Sequence, residues 1–81
     1  MKYFKEDKNV LLATFEFQNF LKALDFVNIV WNIAEISHHH PDIHLHNYKY
    51  VTISTTTHDT WNNLTEKDYI LAERIESSYK K

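Results

Sequence analysis

Six histidines stand among the 81 residues, five of them between His38 and His46, with His58 further on. Imidazole is the side chain whose unperturbed pKa, about 6.5, lets it give and take a proton near neutral pH. The cluster reads either as an acid–base site or as histidines at element ends that are solvated or locally hydrogen-bonded. The chain has no Cys and no Gly, which excludes cysteine nucleophiles, thiolate zinc sites, disulfides and Gly-rich phosphate loops. His44 and His46 alternate with Ile43 and Leu45 and share one strand face. They could form a His-x-His metal pair, but no carboxylate or Cys at local spacing completes a tetrahedral set. A solvated strand face is the preferred reading and no metal is expected.

The elements that would hold these histidines follow from periodicity. Leu11, Ala13, Phe15 and Phe17 alternate with Leu12, Thr14 and Glu16, as in a half-buried strand, and residues 2–6 are expected to pair with it across an Asp7-Lys8-Asn9 turn. From Asn19 to about Ser37 the period lengthens, and Phe20, Leu24, Val27, Trp31 and Ala34 form one helical stripe. Leu21, Phe26, Ile29, Val30, Ile33 and Ile36 widen it, so a second face should be covered by the sheet or by another subunit. The helix must stop before Pro41, which disfavours the α conformation of its predecessor. His39 and His40 therefore lie at the helix-to-strand junction.

Ile43 and Leu45 read as one strand, and Val51, Ile53, Thr55 and Thr57, alternating with Tyr50, Thr52, Ser54 and Thr56, as the next, with a turn near Asn47. His58 ends that strand, which can run back beside the junction, where rigid elements often present functional side chains. Thr65-Glu66-Lys67-Asp68 reads as a capping box opening a helix that carries Tyr69, Ala72, Ile75 and Tyr79 on one face. The expected fold is one α+β domain over residues 1–81, an antiparallel four-stranded sheet with helices packed on one face, in the order β-β-α-β-β-α. Without Gly, turns that need positive φ should fall to Asn or Asp.

Composition narrows the function classes. With 9 Lys+Arg against 11 Asp+Glu the formal charge is −2, too weak a field to hold a polyanion, so no direct nucleic-acid partner is expected. The segment MKYFKEDKNV is too charged for a secretory h-region and no apolar run reaches bilayer length. A cytoplasmic protein without membrane contact is expected. A chain this short buries only about 60 to 65% of its unfolded surface, and it has no disulfide to compensate, so self-association is expected.

Glu35-x3-His39-His40-Pro41, then six residues to Tyr48, nine to His58 and nine to Asp68, closely resembles the signature of the pterin-4a-carbinolamine dehydratases, also called 4a-hydroxytetrahydrobiopterin dehydratases. His39-His40-Pro41-Asp42-Ile43, Thr57-His58-Asp59 and Leu64-Thr65-Glu66-Lys67-Asp68 leading to Leu71-Ala72 and Ile75-Glu76 extend the resemblance over roughly residues 11–76. It implies a small α+β hydro-lyase that converts the 4a-carbinolamine of tetrahydropterin to quinonoid dihydropterin without metal or redox cofactor. The substrate is left by aromatic amino acid hydroxylases, so the implied role is pterin recycling with a functional link to such an enzyme. Family members form dimers and tetramers. The alternative is a noncatalytic dimerisation or transcriptional-cofactor-like module, since mammalian relatives act as a dimerisation cofactor for a homeodomain protein.

Carried over by position, the family's three histidines fall on His39, His40 and His58, with His39 and His58 as the acid–base pair and His40 chiefly binding substrate. Asp68 matches the family's aspartate, and its capping position gives it a structural role that also supports the site. Glu35 near a helix C-terminus opposes the helix dipole, which calls for a partner such as a neighbouring His. Tyr48 could stack on a pterin ring or pack between strands, with packing preferred, and Trp61 is a candidate substrate wall. His38 lies outside the motif. Three features depart from the family pattern. The family's N-terminal helix is expected to be missing. Trp61-Asn62-Asn63, with one extra residue, replaces the usual Gly-Gly. The spacing from Pro41 to Tyr48 is the longer of two family lengths.

Overall fold

A computed structural model describes residues 1–57 and 63–79. The elements are β1 (Lys5–Asp7), β2 (Val10–Glu16), α1 (Phe20–Ser37), β3 (Asp42–His46), β4 (Tyr50–Thr55) and α2 (Glu66–Ser78), in the expected order. All strand pairs are antiparallel and the sheet order is β1-β2-β4-β3. Period-2 alternation sets its two faces. Leu11, Ala13, Phe15, Val51, Ile53 and Thr55 are buried under α1, which packs on β3, β4 and α2, while α2 also packs on β2. Leu12, Thr14 and Glu16, on the other face of β2, are exposed. No helix among the described residues is long and apolar enough to cross a membrane.

The long helix begins and ends as local chemistry requires. The Asn19 side chain accepts from the Lys22 amide at 2.9 Å, an N-cap, and His38 closes the helix with φ 53° and ψ 35°. Its inward face is not the expected stripe. The buried residues are Ala23, Phe26, Val30 and Ala34, with Val27 and Ile33 packed partly against the core, whereas Phe20, Leu24 and Trp31 are exposed. Ala34 is common to both, and the inward face is rotated from the expected stripe by about 75°, less than the roughly 100° of one residue step. Apolar residues run round most of α1, so periodicity did not select a face. The face that meets the sheet carries Ala at two of its four inward positions, and Phe26 sets its ring 5.0 Å from that of Phe15 on β2. On α2 Ala72 and Ile75 are buried as expected, joined by Asp68 and Leu71, while Tyr69 lies outward.

The turns also depart from expectation. Positive φ occurs at Asn9 and Asn47, as the absence of Gly suggested, but equally at Lys8, His38 and Tyr48. A two-residue hairpin turn of type I′ needs positive φ at both central positions. Lys8-Asn9 is such a turn and contains one residue that pays the Cβ penalty, while the β3–β4 connection has three residues, Asn47, Tyr48 and Lys49, of which the first two take positive φ. Asp7, expected in the first turn, pairs with Val10 inside the ladder.

Candidate active site

Four element ends converge at one end of the sheet: the C-terminus of α1, the start of β3, the end of β4 and the first turn of α2. The left-handed backbone of His38 turns the chain out of α1, where the His38 amide donates to the carbonyls of Ala34 and Glu35, and Pro41 leads into β3. His39 and His40 sit on this corner, and their imidazoles find carboxylates on two different elements.

His39 Nε2 lies 2.7 Å from Asp68 Oδ1, with 13% of the imidazole and none of the carboxylate exposed. Asp68 is the third residue of α2, and its Oδ2 accepts from the Thr65 amide at 3.0 Å, closing the capping box that the spacing predicted. The same carboxylate accepts from the Thr55 hydroxyl at 2.7 Å on Oδ1 and from the Thr57 hydroxyl at 2.6 Å on Oδ2. Burial pushes the Asp68 carboxyl up, but the hydrogen bonds from Thr57, Thr55, His39 and the Thr65 amide outweigh it and hold the group below its ordinary 3.8. An ionised carboxylate only accepts, so the proton between it and His39 belongs to Nε2. The neutral ring then carries its lone pair on Nδ1, the atom that can take a proton.

His40 Nε2 lies 2.5 Å from Glu35 Oε2, with both side chains more than half exposed. The partner expected for Glu35 at the helix end is thus His40, five residues on. A depression of about 50 Å³ lined by Val10, His40, Asp42, Ser54, Thr55 and Thr56 adjoins this pair. A larger groove of about 570 Å³ runs between α1 and α2 past Ile33, Ile36, Ile70 and Arg74. It holds no histidine, so chemistry rather than size places the candidate site at the sheet end.

The structure therefore brings together His39 with Asp68 and His40 with Glu35. His58 and Trp61 lie outside the described residues. Tyr48 occupies the β3–β4 turn, at the far end of β3 from His39, and 63% of it is exposed, so it neither packs between strands nor reaches the dyad. His44 and His46 share the outer face of β3 with ring centroids 4.9 Å apart, and His46 Nε2 lies 2.8 Å from the Thr52 hydroxyl. Among the described residues no three His, Cys, Asp or Glu are grouped to hold a metal ion.

Sequence reasoning missed Thr55 and Thr57. A signal was present: both occupy inward positions of the β4 alternation after Val51 and Ile53, and a hydroxyl on a core face must find a partner.

A family model described as pterin 4 alpha carbinolamine dehydratase matches residues 2–78. A Picosynechococcus protein provisionally named as this dehydratase is 47% identical over 64 residues, which are 79% of this chain and 67% of that one. Across such relatives the matched region spans between 60 and 73% of their length. Among solved structures, a transcriptional coactivator/pterin dehydratase from Brucella melitensis superposes with a TM-score of 0.83 at 24% identity, covering 94% of this chain and 81% of that one. A pterin dehydratase-like RuBisCO assembly factor of the alpha-carboxysome gives 0.72 at 19% identity, covering 91% and 83%. At those identities the two structures speak for the fold, which is the four-stranded sheet with two helices found here. The match of the family model over nearly the whole chain, with the 47% identical relative beside it, makes this protein a member of the pterin-4-alpha-carbinolamine dehydratase family.

Proposed function

We propose that the protein is a hydro-lyase that dehydrates 4a-hydroxytetrahydropterin to quinonoid dihydropterin, with His39 as general base, His58 as general acid and His40 as a substrate-binding group. The observation that carries this reading is the His39–Asp68 pair, a buried carboxylate 2.7 Å from an imidazole at the corner of four elements. The reaction removes the N5 proton, forms the C4a=N5 double bond, breaks the C4a–O bond and releases water. His39 Nδ1 takes the N5 proton while the Asp68 carboxylate, fixed on Nε2, stabilises the imidazolium that results. His58 supplies the proton that leaves with the hydroxyl, and solvent resets both rings. Each such transfer is typically worth about 10² to 10⁴-fold. Dehydration is redox-neutral, so the balance calls for no metal or redox cofactor. Glu35 orients His40, and Trp61 is assigned to the wall of the pterin pocket. The physiological setting is cytoplasmic pterin recycling beside an aromatic amino acid hydroxylase, in a homodimer or homotetramer.

The test is spectrophotometric. With the carbinolamine generated by a phenylalanine hydroxylase, the protein should accelerate formation of quinonoid dihydropterin, and His39→Ala and His58→Ala should each abolish the acceleration while remaining folded. Near-normal rates in both variants would remove the histidines from the reaction. A second reading, a noncatalytic interaction module, is favoured by the exposed apolar side of α1, where Leu21 is 64% and Trp31 58% exposed. The fold relatives described as a coactivator and as an assembly factor fit such a role. A folded wild-type protein that gives no acceleration would put this reading first.

A further inference from the structure

The inward face of β4 changes character along its length. Val51 and Ile53 are apolar and fully buried, whereas Thr55, which ends β4, and Thr57, two residues beyond it, are hydroxyl residues only 2% and 4% exposed. Both donate to one carboxylate, Thr55 to Asp68 Oδ1 and Thr57 to Asp68 Oδ2. A carboxylate offers about four lone-pair sites, and the described residues supply four donors: two hydroxyls, the Thr65 amide and His39 Nε2. Each oxygen takes two. Behind Thr57 stands a further hydroxyl, Thr65 Oγ1, at 2.7 Å. Because Thr57 spends its proton on Asp68, the proton between the two threonines comes from Thr65.

This filling has a directional consequence. With every lone-pair site engaged by a donor, Asp68 has no place for a proton of its own, and its two oxygens are fixed in the plane that meets His39. Remove one hydroxyl and an oxygen gains a vacant site, the carboxylate can tilt out of that plane on its three remaining donors, and Nε2–H loses the aligned acceptor that favours it over Nδ1–H.

We propose that Thr55 and Thr57 are positioning residues for the dehydration: together they clamp the Asp68 carboxylate so that His39 is held as the Nε2–H tautomer with Nδ1 presented as the base. They touch neither the substrate nor the reacting atoms and act through Asp68. The kinetic part rests on the dehydratase reading given above, whereas the tautomer part stands on the geometry alone.

The experiment combines side-chain ¹⁵N NMR of the histidines with steady-state kinetics on wild type, Thr55→Val, Thr57→Val and Thr55→Ser. In the wild type at pH 7 the neutral His39 ring should show a protonated Nε2 and an unprotonated Nδ1. Each Val variant, which keeps shape and removes one donor, should mix the tautomers and lower kcat about 10-fold or more, within the 10² to 10⁴ that a positioned base contributes, with KM changed less than about 2-fold. Thr55→Ser restores the hydroxyl and should recover both the tautomer and most of kcat. Val variants that lose stability but keep the His39 tautomer and kcat would reduce the threonines to a packing role and overturn the proposal. A wild-type His39 protonated on Nδ1 would overturn it without any variant, which covers the case in which the Val chains fail to fold. Should wild type show no dehydratase activity, the tautomer shift in Thr55→Val still decides the clamp, so the failure of the function and the failure of the clamp are distinguishable.

Discussion

Asp68→Asn is the most informative single change, because the outcome follows from which donors can turn. Asn keeps the shape but replaces one acceptor oxygen with an NH₂ group. If that group occupied the Oδ2 position it would face the Thr65 amide, now 3.0 Å away, and a backbone N–H cannot be reversed. The buried clash leaves a donor unsatisfied at about 1 to 3 kcal/mol. If it occupies the Oδ1 position, both partners can adapt: the Thr55 hydroxyl rotates, and His39 moves its proton to Nδ1 so that Nε2 accepts. The second arrangement wins, and it places a proton on the atom assigned as base. In the serine-protease triad a carboxylate-to-amide change with the same tautomer consequence lowers kcat about 10⁴-fold, and a general base contributes about 10² to 10⁴. The expected fall in kcat is therefore between about 10² and 10⁴ with the fold intact.

The same variant has a stability signature. Losing the anion and its charge-assisted bonds should cost about 1 to 3 kcal/mol at pH 7, at about 4 to 8 °C of Tm per kcal/mol for a chain of this size. Since the folded-state pKa of Asp68 lies below its ordinary 3.8, its stabilisation is fully present above that value. It is lost as pH falls through the lower folded value. The gap between wild type and Asp68→Asn should thus close in urea titrations at the acid end. Turnover within about 3-fold of wild type, or a His39 that keeps its proton on Nε2 in the variant, would refute the orientation argument.

Three further outcomes are expected. Glu76 accepts the backbone amides of Lys2, Tyr3 and Phe4 at 3.0, 2.7 and 2.6 Å. Glu76→Ala should therefore cost about 1 to 3 kcal/mol and speed hydrogen exchange at Tyr3 and Phe4. Burial pushes the Glu76 carboxyl up, but those amides, with the N-terminal charge, hold it below its ordinary 4.5, so wild type loses this anchor as pH falls through the folded value. Phe15 is fully buried, with ring centroids 5.2, 5.0 and 4.8 Å from those of Tyr3, Phe26 and Tyr79. Phe15→Ala should lower the unfolding free energy by about 3 to 5 kcal/mol in denaturant melts. Sedimentation at micromolar concentration should find a dimer or tetramer that Leu24→Glu with Trp31→Glu dissociates, and a monomeric wild type would contradict the self-association reading.

The element order was legible because each element announces itself locally: period 2 in β2 and β4, the lengthened period from Asn19, Thr65 as the N-cap of α2, and Pro41 as the stop after α1. Which way α1 faces was not legible, because the helix is apolar on most sides and the choice depends on fit against residues distant in sequence, as where Phe26 meets Phe15 of β2. Turn chemistry was half legible. Asn9 and Asn47 take positive φ as expected, but the two-residue type I′ turn after β1 needs a second such residue, Lys8, and the three-residue turn after β3 also places Tyr48 there, at a cost of about 1 to 2 kcal/mol each. His38 takes the left-handed conformation that Gly fills in many helices. The cost secures a sharp exit, and the next two residues are the histidines that meet Asp68 and Glu35.

Asp68 shows why part of the site was readable and part was not. Its place three residues after Thr65 marks a helix start, and a capping carboxylate is usually solvated and explained by the cap alone. Here the cap accounts for one donor out of four. The other three arrive from His39, 29 residues earlier, and from Thr55 and Thr57 at and just beyond the end of β4, which the sequence reading placed in a strand alternation without a partner. No local pattern joins those segments. What could have joined them is a satisfaction argument: Thr55 and Thr57 face a core, and a buried hydroxyl needs a polar partner within reach. The residue that opens the packed helix as an acceptor is Asp68. Conversely, a carboxylate needed only as a cap would gain nothing from burial, which by itself raises its pKa. Its full burial is sustained by donors that also fix the imidazole, so one side chain starts α2, seals the end of the sheet and sets the proton position on His39.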